Sequence, residues 1–200
     1  MSCSETDLII KQGKTFSRTI TYATKELTYK AITAITQAAP VSLTVTGHGI
    51  PAGWLAAVTT VKGMTEINAE NVPPKEADYK PVTVVNANTI AFNSVNAADY
   101  SAYISGGYVQ FYTPVDLTGT VGRMTIKNKV AGTVLVTLTS ANGGIVIDAA
   151  AKTIKVAITA TATAGYTWTE GVYDLELVFI DGTVIQLLKG AVSVKEEVTT

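Results

Sequence analysis

Apolar and polar positions alternate along most of this chain with a period of two. Ile154, Val156 and Ile158 alternate with Lys155, Ala157 and Thr159; Tyr173, Leu175, Leu177 and Phe179 alternate with Asp174, Glu176 and Val178. Met124 with Ile126, and Val134, Val136 with Leu138, follow the same rule. A period of two puts successive side chains on opposite faces of a strand, so these segments are expected as half-buried strands. Near the start, Leu8 and Ile10 and the run Thr15 to Tyr22 predict a strand pair joined at Gln12-Gly13-Lys14. Phe16, Ile20 and Tyr22 share one face there, and Arg18 departs from it, which suits a strand end or a carboxylate partner.

Turn residues punctuate the pattern. Asn86-Ala87-Asn88 divides Val82, Val84 and Val85 from the return strand Thr89 to Phe92, and Asn tolerates positive φ. Asn142-Gly143-Gly144 precedes Ile145 and Ile147. Asp181-Gly182 between apolar strands is a two-residue hairpin signal. Ile185 and Leu187 then form a return strand, and Val192, Val194 and Val198 a last one. Pro73-Pro74 beside Lys75, Glu76 and Asp78 marks an exposed loop. Asn96 to Tyr100 suits one helical turn. The nearest approach to a longer helix, Ala157 to Thr169, is Thr-rich and broken by Gly165, and reads as strand and loop. Turns spaced by roughly 8–12 residues predict an antiparallel all-β sandwich.

Composition agrees. Charged residues make up 16% of the 200 positions and hydrophobic ones 47%, far from the charge-rich, aromatic-poor texture of disorder. Fifteen basic against sixteen acidic residues leave a formal charge of −1, which offers no basic field for nucleic acid and no polybasic membrane patch. No run approaches the 18 or so apolar residues of a membrane span, and the first residues lack the basic-then-apolar order of a secretory signal. Cys3 is the single cysteine, so no intrachain disulfide forms.

Candidate chemistry is sparse. His48 is the only histidine and lies between Gly47 and Gly49. No G-x-S-x-G or H-E-x-x-H pattern accompanies it, so it is expected to cap its own turn by hydrogen bonding to backbone. One histidine and one distant cysteine do not make a zinc site. Asp174 and Glu176 share a strand face, which suits either carboxylate chemistry or the solvated side of a half-buried strand. The glycines form no phosphate-binding loop. No catalytic residue, metal or cofactor is expected. Trp54 and Trp168 each lie near a turn; each is either an anchor for a partner or a core plug. His48, Trp54 and Trp168 are therefore the candidate partner contacts.

Two stretches carry a resemblance. His48-Gly49-Ile50, Gly53, Gly63-Met64, Ile67-Asn68, Tyr100, Tyr103 and Gly106-Gly107 resemble the small β-module of bacteriophage virion proteins labelled an E1 ubiquitin-activating FCCH-like domain. Trp54 stands where that family commonly has a polar residue, and Ala69 where it has Gly. The label implies no ubiquitin chemistry, which needs a nucleotide site and a catalytic Cys. Gln12-Gly13, Asp116-Leu117-Thr118-Gly119, Tyr173 to Leu177, Asp181-Gly182 and Gly190-Ala191-Val192 are similar to the N-terminal β-sandwich of phage baseplate and upper-fibre proteins. Together the resemblances imply a discontinuous Ig-like antiparallel β-sandwich (residues 1–30 with 108–200) and an inserted small β-barrel (31–107). Such an insertion is tolerated because loop closure costs grow only logarithmically.

The expected function follows from the resemblance: a non-enzymatic structural protein of the phage virion, made in the host cytoplasm. It would act in tail, baseplate or head-to-tail assembly through β-mediated contacts with other virion proteins and with copies of itself. The terminal segments Met1 to Asp7 and Lys195 to Thr200 are candidate docking arms. Two alternatives stay open: a capsid decoration or head-fibre protein, and a receptor- or carbohydrate-binding module.

Overall fold

The computed structural model describes residues 4–196, and within them the chain is all-β. Two units divide it. One is Ala23–Val115; the other combines Met1–Tyr22 with Asp116–Thr200. In chain order, the flanking unit contributes β1 (Ser4–Glu5), β2 (Leu8–Lys11) and β3 (Phe16–Thr21). The central unit follows with β4 (Ala23–Ala31), β5 (Ala34–Ile35), β6 (Val41–Thr44), β7 (Leu55–Lys62), β8 (Lys80–Pro81), β9 (Thr83–Asn86), β10 (Thr89–Phe92) and β11 (Ser105–Pro114). The flanking unit resumes with β12 (Val121–Lys127), β13 (Val134–Thr139), β14 (Ile145–Asp148), β15 (Thr153–Ile158), a short helix α1 (Ala160–Ala164), β16 (Glu170–Val178) and β17 (Val184–Lys195).

In the flanking unit one sheet runs β1-β17-β16-β12-β13, with β2 also on β17, and a second runs β14-β15-β3. Their apolar faces meet: Phe16, Ile20 and Val156 oppose Leu8, Met124 and Leu175 around one small gap. Alternation therefore does what it predicts. Tyr173, Leu175 and Leu177 are buried while Asp174 and Glu176 point the other way. The β16–β17 hairpin turns at Asp181-Gly182 as expected, but over three residues and not two: Phe179 N–H donates to Thr183 O (2.8 Å), Gly182 N–H to Phe179 O (2.9 Å) and Thr183 N–H to Asp181 Oδ1 (2.9 Å), leaving Ile180 in the loop as well.

Four expectations for this unit change. β2 and β3 form no pair: β2 runs parallel to the end of β17, and β3 runs antiparallel to β15. Alternation marks a strand's buried face but leaves open which neighbour supplies its hydrogen bonds. Arg18 lies mid-strand opposite Val156, not at a strand end. The expected last two strands are one, β17, running through Gly190. A Cβ at Gly190 would collide with the carbonyl of Thr6, so this glycine marks close passage of the link between β1 and β2 and not a turn. Val198 lies outside the described residues, as do Met1 to Cys3 and the end of the second expected arm. Within Ala157–Thr169 the structure has the one-turn helix α1, whose first turn is capped by Thr159 Oγ1 accepting from Ala162 N–H (3.2 Å).

In the central unit two four-stranded sheets, β5-β6-β10-β9 and β4-β11-β7-β8, enclose one apolar cluster that includes Leu43, Met64, Ile90, Phe92, Val109 and Phe111. Its edges fall at Ala23 and Val115, wider than 31–107, because β4 and β11 pair along their length from Tyr108 opposite Ala31 to Pro114 opposite Ala23. Asn88 N–H donates to Asn86 Oδ1 (2.9 Å) in the expected β9–β10 turn. Asn96 to Tyr100 is a turn held by Ala98 N–H to Asn96 Oδ1 (3.0 Å), without a helical run.

Candidate interaction surface

His48 and Trp54 are structural members of the central unit. Gly47 and Gly49 both adopt positive φ (55° and 63°), a conformation that glycine enters without a Cβ penalty, and this turns the His48 ring inward to 3% exposure. Nδ1 accepts from Ile50 N–H (3.0 Å), and Nε2 lies 2.9 Å from Asn86 O. An acceptor at Nδ1 requires the proton on Nε2, so the ring is held as one tautomer bridging its own turn to the β9–β10 hairpin. Gly47 N–H completes the junction on Asn88 Oδ1 (2.8 Å). The Trp54 ring is 6% exposed, and its Nε1–H donates to Tyr112 O (2.8 Å), fastening the end of β11. Trp168, in the flanking unit, is half-buried and tilted against Tyr166 (ring centroids 5.1 Å, 31°). Gln12 Nε2 anchors that stretch by donating to Tyr166 O (2.9 Å). His48 and Trp54 thus belong to the central unit and Trp168 to the flanking one.

What lies exposed is a tyrosine face that none of these candidates anticipates. Along β11, Val109 and Phe111 point into the core, so Tyr108, Gln110 and Tyr112 point outward. The register sets Tyr108 between Ala31 and Thr59, Gln110 between Tyr29 and Ala57, and Tyr112 opposite Leu27. Tyr29, Tyr108 and Tyr112 are each about half exposed (54%, 48% and 46%). Tyr79 stacks on Tyr112 (5.8 Å, 19°), and its hydroxyl accepts from Gln110 Nε2 (2.7 Å), which covers the amide. Burial pushes the Tyr79 phenol pKa up. The face is uncharged and aromatic. The signal for it is Tyr108-x-Gln110-x-Tyr112, a period-two spacing of aromatics whose outward direction depends on Val109 and Phe111 being core.

Tyr79 is presented by a loop built around Asp78. The Asp78 carboxylate accepts from Lys75 N–H (2.8 Å), Glu70 N–H (3.0 Å) and Asn71 Nδ2 (3.0 Å). These donors hold its pKa below the ordinary carboxylate value, the Lys75 amide most of all. Inside this loop Ala56, Val58, Phe92 and Val95 floor a cavity of about 390 Å³ with Glu66 at its rim. Glu66 accepts from Ser101 N–H (2.9 Å) and Oγ–H (2.8 Å); its own backbone N–H, followed by these two bonds, lowers its pKa too. A general acid needs the opposite shift. In the flanking unit, Glu176 pairs with Arg123 (2.6 Å), and Asp174 sits between Thr125 and Lys189 on the outer sheet face. Among the described residues no three His, Cys, Asp or Glu side chains gather as a metal site.

The sheet edges differ in how they end. Among the described residues β4, nine residues long, pairs only with β11. Ile32 N–H donates to Gly107 O (3.0 Å), carrying that register one residue further. Thr28 and Lys30 therefore also direct their backbone groups at β11, while Leu27, Tyr29 and Ala31 direct theirs away. β13 is the corresponding edge of the six-stranded sheet, and its own turn occupies its Thr137–Thr139 end: Asn142 Oδ1 accepts from Thr139 N–H (2.8 Å) and Asn142 Nδ2 donates to Thr137 O (3.0 Å). No protein-family model and no curated protein matches this chain.

Proposed function

We propose that this protein is a structural component of a tailed-phage virion that acts in tail, baseplate or head-to-tail assembly through strand-mediated subunit contacts. Its partners are other virion proteins and copies of itself, and it works without catalysis or a cofactor. On this reading the flanking unit is the Ig-like sandwich and the central unit the FCCH-like module. The observation that supports it best is the nine-residue edge of β4, with Leu27, Tyr29 and Ala31 directing backbone groups away from their sheet. Open edges are templates for an added strand. Mass spectrometry and immunogold labelling of purified particles test the reading. The protein is expected in fixed proportion to other virion proteins, with label separating heads from tails; its absence from particles would overturn the proposal.

The tyrosine face favours a second reading, carbohydrate or receptor binding. Half-exposed tyrosine rings on one sheet face suit stacking against a sugar. A glycan screen with wild type and Tyr108→Ala distinguishes it: binding lost in the variant supports this reading, and no binding by wild type removes it.

A further inference from the structure

Resting on the assembly reading, we infer that the free side of β4 receives β4 of a second copy of this chain, antiparallel about a two-fold axis through Thr28. The backbone permits this: Leu27, Tyr29 and Ala31 direct their N–H and C=O groups outward, so Leu27 of one copy and Tyr29 of the other form a hydrogen-bonded pair twice over. Side chains select it. Glu26 and Lys30 flank Thr28 by two positions on each side. An axis through Thr28 sets Glu26 of each copy opposite Lys30 of the other. An axis through Leu27 sets Glu26 opposite Thr28, and one through Tyr29 sets it opposite Ile32; neither brings the opposite charges together. Opposite-charge cross-strand pairs stabilise a sheet and like-charge pairs oppose it. Charges on an edge ordinarily repel indiscriminate pairing; here their spacing excludes other registers and admits one. The outward rings Tyr29, Tyr108 and Tyr112 of the two copies would then share a continuous sheet face.

Sedimentation of the full-length protein and its variants tests the register. Wild type is expected to dimerise, Glu26→Lys to weaken association about tenfold by creating two like-charge pairs, and Glu26→Lys with Lys30→Glu to restore it. In a Cys3→Ser background, Thr28→Cys is expected to form an interchain disulfide under mild oxidation, because a non-hydrogen-bonded antiparallel pair holds its Cα atoms within disulfide range. Lys30→Cys, facing Glu26, is expected not to. An oligomer indifferent to Glu26→Lys and uncrosslinked through position 28 would overturn this register and leave the assembly reading standing. A strictly monomeric protein that is still found in particles would also overturn the dimer alone. A monomer absent from particles would remove both.

Discussion

β4 and β13 are both edge strands, and they end their sheets in different ways. β13 is closed from within, since the amide of Asn142 occupies Thr137 O and Thr139 N–H where a further strand would bond. β4 keeps its outward backbone groups without a strand partner and carries Lys25, Glu26 and Lys30. A local amide plug blocks any strand at the Thr137–Thr139 end of its edge; a charged edge favours a partner with matching charge. One molecule thus uses a general and a selective device against the same hazard.

The largest expected effect comes from removing the support behind the open edge. Trp54→Ala deletes a buried ring and the donor on Tyr112 O, and by comparison with other core aromatics it should destabilise the central unit by about 3–5 kcal/mol. Chemical denaturation followed by fluorescence checks this, and a loss under about 1 kcal/mol would show that Trp54 does not hold β11. Next, Asn142→Ala should turn β13 into an edge of the β4 kind. The expected stability cost is about 1 kcal/mol, accompanied by concentration-dependent association that light scattering detects. A variant no more associative than wild type would break the contrast between the edges.

A smaller, pH-dependent effect concerns the loop that presents Tyr79. The Asp78 pKa is lowered in the fold, so its contribution is present above the unfolded-state value and is lost as pH falls through the lower folded-state value. Amide exchange at Glu70 and Lys75 should therefore accelerate on acidification below the ordinary carboxylate range, and Asp78→Asn should flatten that dependence. Equal acid sensitivity in the variant would assign the effect elsewhere. The smallest change is expected for Tyr108→Ala, within about 0.5 kcal/mol of wild type because the ring is half exposed. A larger loss would mean that the tyrosine face stabilises the fold instead of awaiting a partner.

The strands were readable because one face of each is buried: Leu8 and Ile10, or Tyr173 to Leu177, alternate as the fold requires. Partner choice was not readable. β2 with β17 is a long-range parallel pairing that no local spacing encodes, and β17 runs through Gly190 where composition suggests a break. His48 was legible as a turn residue, since glycines on both sides leave its ring little alternative to backbone partners. The tyrosine face was legible only in part. Tyr108 and Tyr112 reveal a strand, but Tyr79 reaches them through a loop shaped by the three hydrogen bonds of Asp78, and that is a tertiary fact.

The parallel pairing of β2 with β17 also has a mechanical meaning. Leu8 lies beside Val192 and Lys11 beside Lys195, both strands running the same way. A pull that draws the chain out before Leu8 and beyond Lys195 slides these strands past each other. Every hydrogen bond of the ladder is then loaded together, where an antiparallel hairpin pulled at its open end would release them one by one. Tension applied across these two ends would therefore meet the ladder in shear.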